Sequence, residues 1–180
     1  MFPDTPILHM LCGKVAAGKS TLARQLAAQG ALLVAQDQWM AQLYPSELRT
    51  VDDYLRLVVR LRAAMTPHLV DLLRHGLSVV LDWPANTVAS RAWMRDLAAQ
   101  GGATARLHWL DVPDRLCLSR LDQRNASGAH EFTVSHGEFA ELARYFEAPR
   151  DDEGLAIVHY PITAPKNLLD ASNAKMTCNL

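Results

Sequence analysis

Gly13-Lys14-Val15-Ala16-Ala17-Gly18-Lys19-Ser20 is the stretch on which the reading of this chain turns. Two glycines bracket four residues, and a lysine and a serine follow the second. That spacing lets the backbone wrap tightly and turn successive N–H groups inward, which makes an anion-binding nest. The flanks agree. Ile7 to Cys12 is an apolar run of strand length, and Ser20 to Gln29 repeats apolar residues at helical spacing before Gly30. A helix that starts on such a loop adds the positive end of its dipole. The pattern predicts that Gly13 to Ser20, with Thr21 after them, hold the phosphates of a nucleoside triphosphate. Lys19 would reach the β- and γ-oxygens, Ser20 would hold Mg²⁺, and Thr21 would donate to the α-phosphate.

Outward from the loop, strand-like and helix-like segments alternate, the mark of a parallel sheet covered by helices. Ala31 to Ala35 reads as a second strand. From Val51 to Arg74 apolar residues recur at helical spacing, with Pro67 predicting a kink or two helices in series. Leu77 to Leu81 is a third strand, Ala105 to Leu110 a fourth and Leu155 to Tyr160 a fifth. Thr87 to Gln100 and the stretch from Pro113 to about Arg124 read as helices. Asn125 to Glu131 is polar and contains Gly128, so a mobile lid is expected there. Ser135 and Glu138 form a capping box for a helix to about Glu147. The expectation is a three-layer α/β P-loop NTPase fold, a mainly parallel five-stranded sheet flanked by helices, with a short lid. Residues 1–161 read as a single domain and 162–180 as a tail, partly disordered.

The residues at the strand ends bear on which chemistry the loop serves. Asp82 ends the third strand as a Walker-B carboxylate would, placed to accept from a Mg²⁺-bound water; its other reading is a cap on the turn before Pro84. Trp83 follows it, where many ATPase motors carry a water-activating Glu. Asp37 ends the second strand, at the edge where ligands gather in such sheets. It can take the proton of an acceptor hydroxyl, or simply cap the short helix containing Trp39 and Met40. Arg120 and Arg124 lie four residues apart and therefore on one helix face. They are candidates for stabilising the transferring phosphoryl group, or for a solvated face beside Asp122. Trp39, Tyr44, Arg56, Arg60, Trp83, Asn86 and Arg91 are candidates for an acceptor pocket, each with a core or surface role as its alternative.

With these features the chain resembles the small P-loop kinases that include zeta toxins, chloramphenicol phosphotransferases, and gluconate and shikimate kinases. The resemblance implies an ATP- and Mg²⁺-dependent transfer to a hydroxyl. Lys19 and Ser20 then match the nucleotide and magnesium positions, Asp37 the base, and Arg120 and Arg124 the lid arginines. After the third strand the sequence reads Asp82-Trp83-Pro84-Ala85-Asn86-Thr87, unlike the Gly- or Glu-bearing acceptor loops of other members. The acceptor therefore does not carry over. A sugar, nucleotide sugar, nucleoside or antibiotic remain open.

Composition narrows the classes further. A formal net charge of -1 and no basic cluster argue against a nucleic-acid partner. No apolar run reaches the length of a membrane span, so no membrane is expected. Cys12, Cys117 and Cys178 have no metal-ligand or disulfide spacing, which favours a reducing, cytoplasmic setting. Two alternatives stay beside the small-molecule kinase: a regulatory ATP-binding module with slow hydrolysis, and a polynucleotide-end kinase. The sequence leaves the oligomeric state open.

Overall fold

A computed structural model describes residues 5–128 and 133–162 of the chain. The expected tail beyond Ile162, with Cys178, and residues 129–131 of the lid stretch lie outside those residues. Five strands, β1 (Ile7–Cys12), β2 (Leu32–Ala35), β3 (Val79–Pro84), β4 (Thr104–Asp111) and β5 (Ala156–Pro161), pair in the order β2-β3-β1-β4-β5. Every pairing is parallel. The helices are α1 (Lys19–Ala28), α2 (Gln36–Leu43), α3 (Val51–Arg74), α4 (Val88–Gly101), α5 (Asp114–Ser127) and α6 (His136–Arg144).

The central strands are buried on both faces, which is why they read as nearly unbroken apolar runs. Leu8, Met10 and Cys12 of β1 join Leu81 and Trp83 of β3 and Leu107 of β4 in the main core, under Leu57, Leu61 and Leu69 of α3 and Met94 of α4. Leu11 and Val80 face the other way, onto Ala23 of α1. Beside them Leu110 and Val112 meet Cys117 and Leu121 of α5 and Phe139 of α6. Each fully buried leucine or methionine contributes about 1.5–3 kcal/mol relative to exposure. Against that background one polar chain stands out inside the sheet. His9 Nδ1 lies 2.9 Å from His108 Nε2, and His108 Nδ1 lies 2.9 Å from the Tyr160 hydroxyl.

Helix ends follow the local chemistry. Thr50 caps α3 by accepting from Asp53 N, and Thr87 caps α4 by accepting from Ser90 N. The Ser135–Glu138 capping box is fully formed at α6. At Gly101 an added Cβ would stand 2.5 Å from Leu73 Cβ, so this glycine lets the C-terminal ends of α3 and α4 approach.

Three sequence expectations are corrected. Pro67 does not divide α3 into two helices in series: one helix runs from Val51 to Arg74. Pro67 and Ala63, whose carbonyl loses its partner, are both exposed, so water can satisfy that carbonyl. β3 runs on through Asp82, Trp83 and Pro84, because Ala35 pairs with Asp82 and Leu11 with Pro84 past an irregularity at Met10/Leu11. α5 takes in Asn125, Ala126 and Ser127, the first residues of the expected lid; it stops only at Gly128, whose φ of 62° suits the left-handed end of a helix.

Candidate active site

The loop after β1 has the conformation its sequence demands. Gly13 has φ 155° and Gly18 φ 108°, and an added Cβ at Gly13 would lie 3.0 Å from the Leu110 carbonyl oxygen. Ala16 takes φ 59° without being a glycine, a strain on the order of 1–2 kcal/mol. Gly18 is the N-cap of α1 and supplies no side-chain cap, so the helix opens toward the loop. Lys19 folds back over the nest and donates from Nζ to the carbonyls of Gly13 (2.6 Å) and Lys14 (2.8 Å). Its burial lowers its pKa below the usual lysine value, and the charge of Asp82 is the largest influence acting the other way, with Asp37 contributing in the same sense. Lys14 is tied down differently: its Nζ pairs with Asp114 at the start of α5 and lies 5.6 Å from the Phe146 ring centre.

Asp37 lies in the first turn of α2, whose N-cap is Ala35, so the capping role is not taken. Its carboxylate is hydrogen-bonded to the Tyr54 phenol of α3, and its charge acts on Lys19 and on Arg124. Arg120 and Arg124 part company. Arg120 donates from Nη1 to the carbonyl of Ala17, 3.2 Å away, and so braces the loop. Arg124 has its Nε and Nη2 buried with no hydrogen-bond partner among the described residues. Burial depresses the Arg124 pKa, and the Asp37 charge opposes that shift. Four elements thus bring Lys19, Asp37, Arg124 and Asp82 into one electrostatic neighbourhood at the C-terminal edge of the sheet.

Most of the expected acceptor residues serve the fold instead. Trp83 is 0 % exposed and stacks on Trp93 with ring centres 5.4 Å apart. Arg91 is also 0 % exposed. It grips Glu153 at 2.5 and 2.8 Å and donates to the carbonyls of Ala85 (3.1 Å) and Glu147 (2.9 Å). Asn86 turns toward the loop: its Oδ1 accepts from Gly13 N at 2.9 Å. Arg56 pairs with Asp53 on the surface of α3, and Tyr44 packs against the main core. Trp39 remains 43 % exposed, two residues beyond Asp37. Arg60 is exposed as well. Sequence reasoning missed Gln36 and Tyr54. The signal was present in part, since Gln36 precedes Asp37 and Tyr54 falls in the first turn after the Thr50 cap. Cys12 and Cys117 are buried free thiols, with burial pushing the Cys12 thiol up to about 11.

A glycine-framed loop, an inward lysine and strand-end carboxylates on an all-parallel sheet define a kinase-like P-loop domain. The chain belongs to the AAA domain family, whose profile matches residues 8–149. Three solved structures illustrate the likeness. One is a protein named as a kinase from Chloroflexus aurantiacus J-10-fl: 19 % identity, 87 % of this chain and 85 % of that one covered, TM-score 0.69. Another is Kti12 of Chaetomium thermophilum in complex with ADP-AlF3: 15 % identity, 87 % and 89 % covered, TM-score 0.64. The third is the Mycobacterium tuberculosis APS kinase CysC in complex with AMPPNP and APS: 19 % identity, 94 % of each chain covered, TM-score 0.58. At these identities the likeness is one of fold. No curated protein matches the chain in sequence. No helix among the described residues is long and apolar enough to cross a membrane.

Proposed function

We propose that the chain is an ATP-dependent phosphotransferase that moves the γ-phosphoryl group to a hydroxyl of a small molecule. The observation that carries this reading is that the charge of one carboxylate, Asp37, acts both on Lys19 of the phosphate loop and on Arg124, a guanidinium with two buried nitrogens that have no hydrogen-bond partner among the described residues. Asp37 accepts the proton of the acceptor hydroxyl as its oxygen forms the new bond to phosphorus and the bond to ADP breaks. Lys19 exchanges its two loop carbonyls for the β- and γ-oxygens. Arg124 meets the charge that builds on the phosphoryl oxygens, and Arg120 keeps the loop in shape from behind. Lys14, Val15, Ala16 and Gly18 complete the phosphate cradle with their backbone, while Ala17 N and Thr21 N donate to the carbonyls of Lys14 and Gly18 and Thr21 offers its hydroxyl to the α-phosphate. Ser20 and Asp82 are hard oxygen donors beside Lys19 and fit Mg²⁺, which would neutralise phosphate charge when bound.

The ligands of two structural neighbours, ADP-AlF3 and AMPPNP with APS, are consistent with nucleotide at this edge. Residues 1–161 form the catalytic domain in this reading, and the enzyme works in the cytoplasm. The likeness of Asp37 to the base of zeta toxins and chloramphenicol phosphotransferases puts nucleotide sugars and antibiotics at the head of the acceptor panel, followed by sugars and nucleosides. The test is a screen of that panel for acceptor-dependent ADP release. Asp37→Asn should lower the rate about 10²–10⁴-fold. ADP release that no acceptor stimulates and that Asp37→Asn leaves intact would favour a regulatory ATPase instead.

A further inference from the structure

Asp37 is held from one side. The Tyr54 phenol hydrogen-bonds its carboxylate, and the same phenol oxygen receives an N–H from Gln36 Nε2. Gln36 is only 1 % exposed, so this amide is part of the wall and not a surface contact. An N–H on the phenol oxygen occupies a lone pair and leaves the O–H free to point at Asp37. Burial first, and then the negative charge of Asp37, push the Tyr54 pKa up. The phenol therefore keeps its proton at any working pH and faces Asp37 as a donor only.

The backbone around this pair is equally determined. Gln36 and Asp37 are consecutive at the start of α2, directly after β2. Tyr54 N donates to the Thr50 carbonyl at 3.1 Å, and Thr50 itself is locked to Asp53 by two hydrogen bonds, of 2.9 and 3.1 Å. The Tyr54 ring packs against the main core. A carboxylate otherwise turns freely about its last torsion, which is a broad two-fold rotor. A group that must meet a hydroxyl in line with a phosphoryl transfer gains rate when that rotation is removed beforehand.

We propose that Tyr54 is a positioning residue for phosphoryl transfer: it holds one oxygen of Asp37 so that the other faces the acceptor hydroxyl, with Gln36 fixing Tyr54 in turn. This inference rests on the reading of Asp37 as the base. The proton of the acceptor hydroxyl goes to the free Asp37 oxygen, while the Tyr54 proton stays on its own oxygen throughout. Among the described residues Lys19 from α1, Arg124 from α5 and Tyr54 from α3 interact with Asp37, Arg62 of α3 acts on Tyr54, and Asp82 of β3 acts on Lys19. Removing the one neutral donor in that set weakens the hold on the charged carboxylate, so Asp37 should take up a proton at higher pH.

The experiment uses the full chain and the Tyr54→Phe variant. Carboxyl ¹³C signals are followed through a pH titration, the Asp37 signal being the one missing in Asp37→Asn. Its midpoint should rise by roughly one pH unit in Tyr54→Phe. The rate of ADP release, with an acceptor from the screen or with water, should fall about tenfold at pH 7, because a carboxylate free to turn meets the acceptor hydroxyl in line less often. Affinity for a fluorescent ADP should stay within twofold. If Tyr54→Phe folds poorly, Gln36→Leu takes its place, with a smaller shift of the midpoint in the same direction expected. A titration and rate indistinguishable from the parent in a folded variant, while Asp37→Asn is inactive, would overturn the positioning role alone. Full activity in Asp37→Asn would remove the base reading, and this inference with it.

Discussion

Two arginines in this molecule have opposite surroundings. Arg91, on α4, is fully enclosed and every nitrogen it offers is used: Glu153 takes two, and the carbonyls of Ala85 and Glu147 share the third. Arg124, on α5, is partly buried with two nitrogens that meet nothing among the described residues. Leaving a buried donor unpaired costs about 1–3 kcal/mol, and more when it is charged. A fold does not gain from such an arrangement. Unpartnered buried donors occur at Trp83, Trp109 and Arg62 Nε too, but the two indoles are neutral, and Arg62 donates from Nη2 to Ser90 and lies over the Trp93 ring. The contrast separates groups that work for the fold, which find their partners inside it, from groups directed at something brought from outside.

Substitution should break this contrast in opposite ways at the two sites. Arg124→Ala is expected to have the largest effect, lowering the rate of phosphoryl transfer about 10³-fold or more. Its unfolding free energy should not fall, and should rise by up to about 1–3 kcal/mol as the unpaired donors leave the interior. Rate and urea-denaturation measurements on one preparation decide this. A loss of several kcal/mol with the rate preserved would make Arg124 another Arg91.

Arg91→Ala should do the reverse. It strands Glu153, whose carboxyl is held below its ordinary range chiefly by the hydrogen bond from Arg91. The expected loss is about 3–5 kcal/mol of stability, read as a lower urea midpoint, with ADP affinity of the remaining folded protein within a few-fold of the parent.

The smallest effect concerns the buried histidines, which are satisfied only while neutral. Burial, then Arg106, lowers His9 to about 4; burial, then His9 and Arg106, lowers His108 to about 4. Both folded values lie below the ordinary value of 6.5. Above pH 6.5 neither state of the chain binds these protons and stability should not depend on them. As pH falls from 6.5 to 5.5 the unfolded chain binds them and the folded one does not, so stability drops, on the order of 1–3 kcal/mol in all. Denaturant unfolding at pH 7.5, 6.5 and 5.5 measures the slope above the range in which Glu153 is protonated. A flat profile would mean that the pair is not held neutral.

Much of this was legible beforehand, for physical reasons that differ by region. Gly13 and Gly18 were readable because the loop needs positive φ where only glycine is unstrained. The parallel sheet was readable because doubly buried strands are apolar on both faces. The direction of Trp83 was open to the same logic and was missed. Asp82 and Trp83 are consecutive in a strand and must face opposite sides, so an Asp82 turned to Lys19 sends Trp83 into the core. The Gln36–Tyr54–Asp37 chain was not legible in that way. It depends on how α2 and α3 lean together at the sheet edge, which periodicity does not report. Nor did the spacing of Arg120 and Arg124 tell them apart. They share a helix face, yet one turn along it is enough to put Arg120 against Ala17 and Arg124 near Asp37.

A crystal structure of the full chain with Mg²⁺ and AMPPNP tests most directly what the unspent donors are for. Lys19 Nζ should leave the carbonyls of Gly13 and Lys14 for the β- and γ-oxygens, and the guanidinium of Arg124 should lie within hydrogen-bond distance of the γ-phosphoryl group. A bound nucleotide with Lys19 still on its own loop and Arg124 still unpartnered would contradict it.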